Sequence, residues 1–301
     1  MSESARRGIQ SAQFSVLANT TLAVVKLIAG LLGNSYALVA DAVESTADIF
    51  SSLIVWGGLR LSVRDPNEQY PFGYGKAEPL AATVVALMLI AASVGIAVEA
   101  IAEIRTPHHA PASWTLVVLI MVMVAKTALS RRVGAVGSAI DSTAVQADAW
   151  HHLSDALTSA AAFVGISIAL LGGPGWEAAD DWAALAASTI ILFNGVVILR
   201  PALADLMDRM PGAAVVDAVR QVAAGVPGVL AIEKLAVRKS GMQYRVTIHV
   251  QADAALSLHD AHVLGGKVRS AIRLAMPKVQ DVLVHMEPYE PIATKPGRAR
   301  A

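Results

Sequence analysis

The sequence predicts an all-α six-helix transmembrane domain followed by a small α+β domain of order αββαβ. Three observations predict it. The 301 residues are 55% apolar and only 16% charged, where an ordinary soluble domain is about 25% charged. Six apolar runs, at about 10–33, 37–60, 79–102, 113–130, 144–171 and 182–200, approach the ~20 residues that span a bilayer. After Pro201 the apolar runs stop and alternating and amphipathic patterns take over.

Lys and Arg placement sets the orientation. Arg6 and Arg7 precede the first run, Arg60, Arg64 and Lys76 follow the second, Lys126, Arg131 and Arg132 end the fourth, and Arg200 and Arg209 follow the sixth. The alternate loops hold only Arg105. Six spans with both termini cytoplasmic fit this pattern. Dropping the weakest run, 113–130, would break it.

The second part reads as a helix over 213–224, strands over 230–238 and 244–252 around a Lys239-Ser240-Gly241 turn, a helix over 257–275 and a strand over 279–286. That order predicts an open-faced sandwich. The expected domains are 1–210 in the membrane and 211–290 in the cytoplasm, with a disordered tail at 291–301.

Composition excludes several classes. The 24 basic and 24 acidic residues cancel, so no global field draws nucleic acid. Without cysteine, disulfide frameworks and thiolate sites are excluded, while His, Asp and Glu remain free to hold a metal. The opening MSESARRGIQSAQF is too polar to read as a signal peptide.

The chemistry lies in the second and fifth runs. One reads Ala40-Asp41-Ala42-Val43-Glu44-Ser45-Thr46-Ala47-Asp48, the other Ala147-Asp148-Ala149-Trp150-His151-His152-Leu153-Ser154-Asp155. Residues four apart share a helix face, so Glu44 pairs with Asp48 and His151 with Asp155. An ionised group at bilayer depth costs about 2.5–3.5 kcal/mol on insertion scales. The cluster therefore needs a compensating cation. The runs offer few candidates, Lys26 in the first and Lys126 near a cytoplasmic end. A divalent metal, or protons, would also neutralise it. Three oxygens and one nitrogen suit a tetrahedral ion such as zinc. The bland alternative makes these acids helix caps or protonated packing groups. The repeated frame argues against it.

Gly33-Asn34-Ser35, Ala37-Leu38, Ala40-Asp41-Ala42, Phe72-Gly73, Gly75-Lys76 with Glu78, and His151 with Asp155 together resemble the cation diffusion facilitators. The resemblance runs from Ser11 to about Pro288. It implies a homodimeric metal/proton antiporter, with protons as counter-substrate and a cytoplasmic metallochaperone-like (ferredoxin-like) domain, set in the lipid of a bacterial inner membrane. It implies export of a divalent metal, zinc first, with iron(II), cadmium, cobalt or manganese as alternatives. It implies a transport site of Glu44, Asp48, His151 and Asp155. It also implies a regulatory metal site in the cytoplasmic domain, at Glu233, His249, His262, His285 and Glu287.

Two departures from the family pattern matter. Glu44 stands where His or Asp is common, which enriches the site in oxygen and leans it toward harder ions. In the loop after the second run, Tyr70 and Tyr74 replace two histidines. Since a phenol is a poor zinc ligand, an accessory loop site is expected to be absent. His108 and His109 read as plain loop residues, His259 as an exposed helix residue, and His152 as a packing or supporting group. A metallohydrolase is disfavoured because His-Glu-x-x-His is absent. A sensor or assembly protein that shares the fold without transporting is the main alternative, and a passive channel is a third.

Overall fold

A computed structural model describes residues 3–32, 36–105, 115–173, 175, 176 and 178–290; of residues 26, 29–32, 36–47, 99, 115, 169 and 180 it describes the backbone alone. Gly33-Asn34-Ser35, His108, His109 and the tail 291–301 lie outside the described residues, as do the side chains of Lys26, Asp41 and Glu44. The chain divides into two compact units after Leu206.

Among the described residues, six long helices build the first unit: α1 (Glu3–Leu32), α2 (Tyr36–Ser62), α3 (Ala77–Arg105), α4 (Thr115–Ile140), α5 (Thr143–Gly172) and α6 (Ala179–Leu206). At about 1.5 Å per residue, each is long enough to cross a bilayer. By length and composition, Ala77–Arg105, Thr143–Gly172 and Asp181–Leu206 are apolar enough to do so. α1, α2 and α4 carry Asn19, Asp48 and Lys126, which meet one another inside the bundle. α1 packs on α2, α3 on α6, and α4 on α5.

The largest difference from the sequence expectation is in α4. The apolar run stops at Arg131-Arg132, but the helix continues to Ile140. Packing on α5 sustains it. A Cβ at Gly137 would lie 3.0 Å from the Gln146 backbone nitrogen, so glycine is what allows the two backbones to close. Only Asp141 and Ser142 join the helices. Asp141 takes the left-handed conformation (φ 59) that ends many helices, and Ser142 caps α5 by accepting from the Val145 N–H at 3.2 Å. The extension leaves Lys126 in the middle of α4 rather than near its end.

The second unit is α7 (Ala213–Ala224), β1 (Ala231–Ser240), β2 (Gln243–Ala252), α8 (Leu258–Ala275) and β3 (Val279–Pro288), the αββαβ order expected. β1 pairs antiparallel with β2, and β2 parallel with β3. The hairpin turn is tighter than expected. Ser240 pairs with Gln243, and Gly241, at φ 63, opens a two-residue turn of the type that places glycine first. Ser257 caps α8, accepting from the Asp260 N–H at 3.1 Å. Val219 and Ala223 of α7 and Leu264, Val268 and Ile272 of α8 cover one sheet face, meeting Val237, Val246, Ile248, Val250 and Val282. Strand alternation turns Thr247 and His249 toward the opposite face.

Candidate metal centre

In the membrane unit, Asp48 of α2 and His151 and Asp155 of α5 converge. Each offers a ligand atom, and these lie within 4.8 Å of one another. His151 Nε2 is 3.1 Å from Asp48 Oδ1. Glu44 lies one helical turn before Asp48, on the same face of α2 by spacing, and its side chain is outside those described. Two carboxylates and an imidazole at this separation form a donor set that a divalent ion can draw together.

A cation the sequence reading left at the edge sits at the centre. Lys126 Nζ donates to Asp48 Oδ2 at 2.5 Å, to Asp155 Oδ2 at 2.8 Å and to Asn19 Oδ1 at 3.2 Å. Its side chain is 3% exposed. The one signal available was a lone lysine inside the apolar stretch before Arg131.

A second layer supports the first. Asn19 Nδ2 donates to the Asp48 carbonyl at 3.3 Å and to Ser52 Oγ at 3.1 Å. Ser52 Oγ donates to Asp148 Oδ1 at 3.0 Å. Asp148 Oδ2 lies 3.6 Å from His152 Nε2, and His152 Nδ1 lies 4.0 Å from Asp155 Oδ2. Asp148 and His152 are fully buried. His152 thus stands behind the ligand face, where the spacing put it, while Asn19 and Ser52 carried no sequence signal beyond being polar.

In the loop between α2 and α3, Tyr70 and Tyr74 pack with ring centroids 4.6 Å apart, and Tyr74 Oη accepts from Asn67 Nδ2 at 2.8 Å.

In the second unit, His249, His285 and Glu287 bring ligand atoms within 4.8 Å. The β2–β3 register sets His249 beside His285 and Gln251 beside Glu287. His249 Nδ1 is 2.7 Å and His285 Nε2 3.6 Å from Glu287 Oε1. Glu233 and His262, the other two expected members, are not among these three. Glu233 is the extra residue of a bulge between Ile232 and Lys234, so Lys234 takes the place opposite His249. His262 is exposed on α8.

Comparison with known proteins defines the class. Residues 12–207 match the model of the cation efflux transmembrane domain, and residues 211–289 that of the cation efflux protein, cytoplasmic domain. The chain belongs to the cation efflux family, the cation diffusion facilitators. It is 29% identical over 282 residues to the manganese efflux system protein MneP of Bacillus subtilis, across 92% of this chain and 95% of that one. It is 29% identical over 272 residues to the magnetosome protein MamB of Magnetospirillum gryphiswaldense, across 90% and 91%. Metal tolerance protein C1 of Arabidopsis thaliana is 30% identical over 292 residues, across 92% of this chain and 61% of that one. Among solved structures, a cadmium form of a MamM CTD variant is similar at 23% identity over 26% of this chain and 98% of that one, with a TM-score of 0.26. Family and apolar helices together make this an integral membrane protein whose family moves divalent metal cations.

Proposed function

We propose that the chain exports divalent metal ions in exchange for protons, through an intramembrane site of Glu44, Asp48, His151 and Asp155. The observation that carries this reading is the convergence of Asp48, His151 and Asp155 from two helices of a transmembrane unit. Ionisable groups at that depth mark ion pathways, and these groups are metal ligands by type.

The site suggests how exchange runs. The ion enters from the cytoplasmic side, where both termini lie, and takes its ligands deprotonated, so acid opposes binding. When the bundle opens outward, external protons compete for the same carboxylates and imidazole. Protonated, the site returns. No separate proton path is needed.

Zinc and manganese are the leading substrates. One nitrogen and up to three carboxylates accommodate zinc, while the oxygen surplus suits manganese or iron(II). The name of MneP, a manganese efflux protein, adds weight to manganese. Cadmium and cobalt remain in the set to test.

In the second unit, His249, His285 and Glu287 hold a regulatory ion. Three ligands from one chain leave coordination positions for water or for a second copy of the chain, and Glu233 and His262 stay candidates there. We place this unit in the cytoplasm as the contact of a homodimer. A bound ion there would bias the transport cycle by binding one conformation better than the other.

One observation favours a second reading. Lys126 fills the space between Asp48 and Asp155, as it would in a sensor or assembly protein that never loads an ion there. Proteoliposomes separate the readings. Zinc, manganese, iron(II), cobalt and cadmium are presented with and without a pH gradient, and an internal dye reads uptake. Uptake that follows the gradient supports the antiporter. Absence of uptake with every metal, while the second unit still binds, supports the sensor.

A further inference from the structure

The space between Asp48 and Asp155 already holds a positive charge. Lys126 Nζ bonds to one oxygen of each carboxylate, at 2.5 and 2.8 Å, and the second Asp48 oxygen faces His151 Nε2 at 3.1 Å. An ion that bridges the two acids needs the same lone pairs, at about 2.0–2.2 Å for zinc. An ammonium and a divalent ion held between the same two carboxylates compete for them. Two cations sharing one carboxylate oxygen also repel, and the repulsion doubles when one is divalent.

We infer that Lys126 is a tethered cation that fills the metal seat between Asp48 and Asp155 when no ion is bound, and that the incoming divalent ion displaces it. The inference rests on the reading of this cluster as the transport site. What changes on loading is the partner of Lys126.

The displaced ammonium has a place to go. Asn19 Oδ1 already accepts from it at 3.2 Å. Asn19 is held by the Asp48 carbonyl and by Ser52 Oγ, and Ser52 leads on to the buried carboxylate of Asp148. The lysine stem has four rotatable carbons, and retreat toward Asn19 and Asp148 is the route this chain of hydrogen bonds offers.

The device serves the empty half of a transport cycle. A carrier that returns without cargo must neutralise its carboxylates in a region where unpaired charge is costly, and protons need not do all of it. Lys126 supplies part of that countercharge from within the chain. Competing for the same oxygens, it also weakens metal binding and so speeds release. A lysine that only packs the bundle would do neither.

The test uses the full chain in the H249A/H285A background, which removes the second ligand cluster. Equilibrium binding of Zn²⁺ and of Mn²⁺ is compared between native Lys126 and K126M, with D155A as the control that abolishes binding. K126M is expected to bind at least about tenfold tighter, that is, about 1.4 kcal/mol, and to release the ion more slowly. Equal or weaker binding by folded K126M overturns the inference. Should K126M fail to fold, a Cd²⁺-bound structure with native Lys126 decides. Nζ withdrawn from both carboxylates supports displacement, and Nζ still bonded to both overturns it. If only K126M binds ions in the membrane unit, the tethered cation stands and the transport reading falls. If neither protein binds, both fall.

Discussion

Ser52 of α2 donates to Asp148 of α5 at 3.0 Å, and both residues are fully buried. This bond ties the two ligand-bearing helices together behind the ligand face, so it bears on stability more than on ion chemistry. Ser52→Ala removes one partner and leaves a buried carboxylate oxygen short of a donor. Intramembrane hydrogen bonds average about 0.6 kcal/mol and reach about 1.7, and a charged acceptor belongs at the upper end. The expected loss is about 1–2 kcal/mol, read as a lowered melting temperature in detergent with metal selectivity retained. An unchanged melting temperature would mean the two helices are joined elsewhere.

The close contact of α4 and α5 gives a second prediction. A Cβ at Gly137 meets the Gln146 backbone at 3.0 Å and Gln146 Cγ at 3.1 Å. Gly137→Val therefore forces the two helices apart and costs about 1–3 kcal/mol. Because Lys126 reaches the acids from α4, the same change should also alter metal affinity. Thermal unfolding and metal titration on one sample check both effects.

The cluster in the second unit predicts metal binding that can be removed apart from transport. His249→Ala or His285→Ala deletes one of three ligands. Even supporting residues around a metal cost about 10–100-fold when lost, so a ligand should cost at least that. In the full chain, calorimetry should show the site of higher histidine content disappear, while uptake into vesicles persists at a reduced or unregulated rate. Abolished uptake would make the cluster part of the transport path.

Acid should weaken the same cluster. Metal ligands must be deprotonated, and His249 and His285 give up their lone pairs on protonation. Affinity is therefore expected to fall as the solution is made more acidic. Affinity that does not change with pH would point to Glu287 and water as the working ligands.

Much of the fold was legible in the sequence because hydropathy reports helices directly. Each apolar run corresponds to one of α1 to α6. The pairing of His151 with Asp155 was legible because helical spacing fixes it. In the sequence, the apolar run and the charges of Arg131 and Arg132 end α4 at about residue 130 and so put Lys126 near an end. The close approach at Gly137 carries α4 on against α5 to Ile140, and a lysine expected near an end falls in the middle. Glu233 falls in a β-bulge that shifts the register between Ile232 and Lys234, and strict alternation cannot foresee an inserted residue. Asn19 and Ser52 gave no signal, since their role comes from what α2, α4 and α5 bring beside them.

The central claim is that Asp48, His151 and Asp155 hold the transported ion. Asp155→Ala removes one ligand and one partner of Lys126 and leaves the second unit untouched. We would measure initial rates of Zn²⁺ and Mn²⁺ uptake into proteoliposomes, under a fixed pH gradient, for the native chain and for this variant. The account predicts uptake by the native chain and a loss of at least about 100-fold (about 2.7 kcal/mol) in the variant. Uptake by Asp155→Ala at the native rate would contradict it.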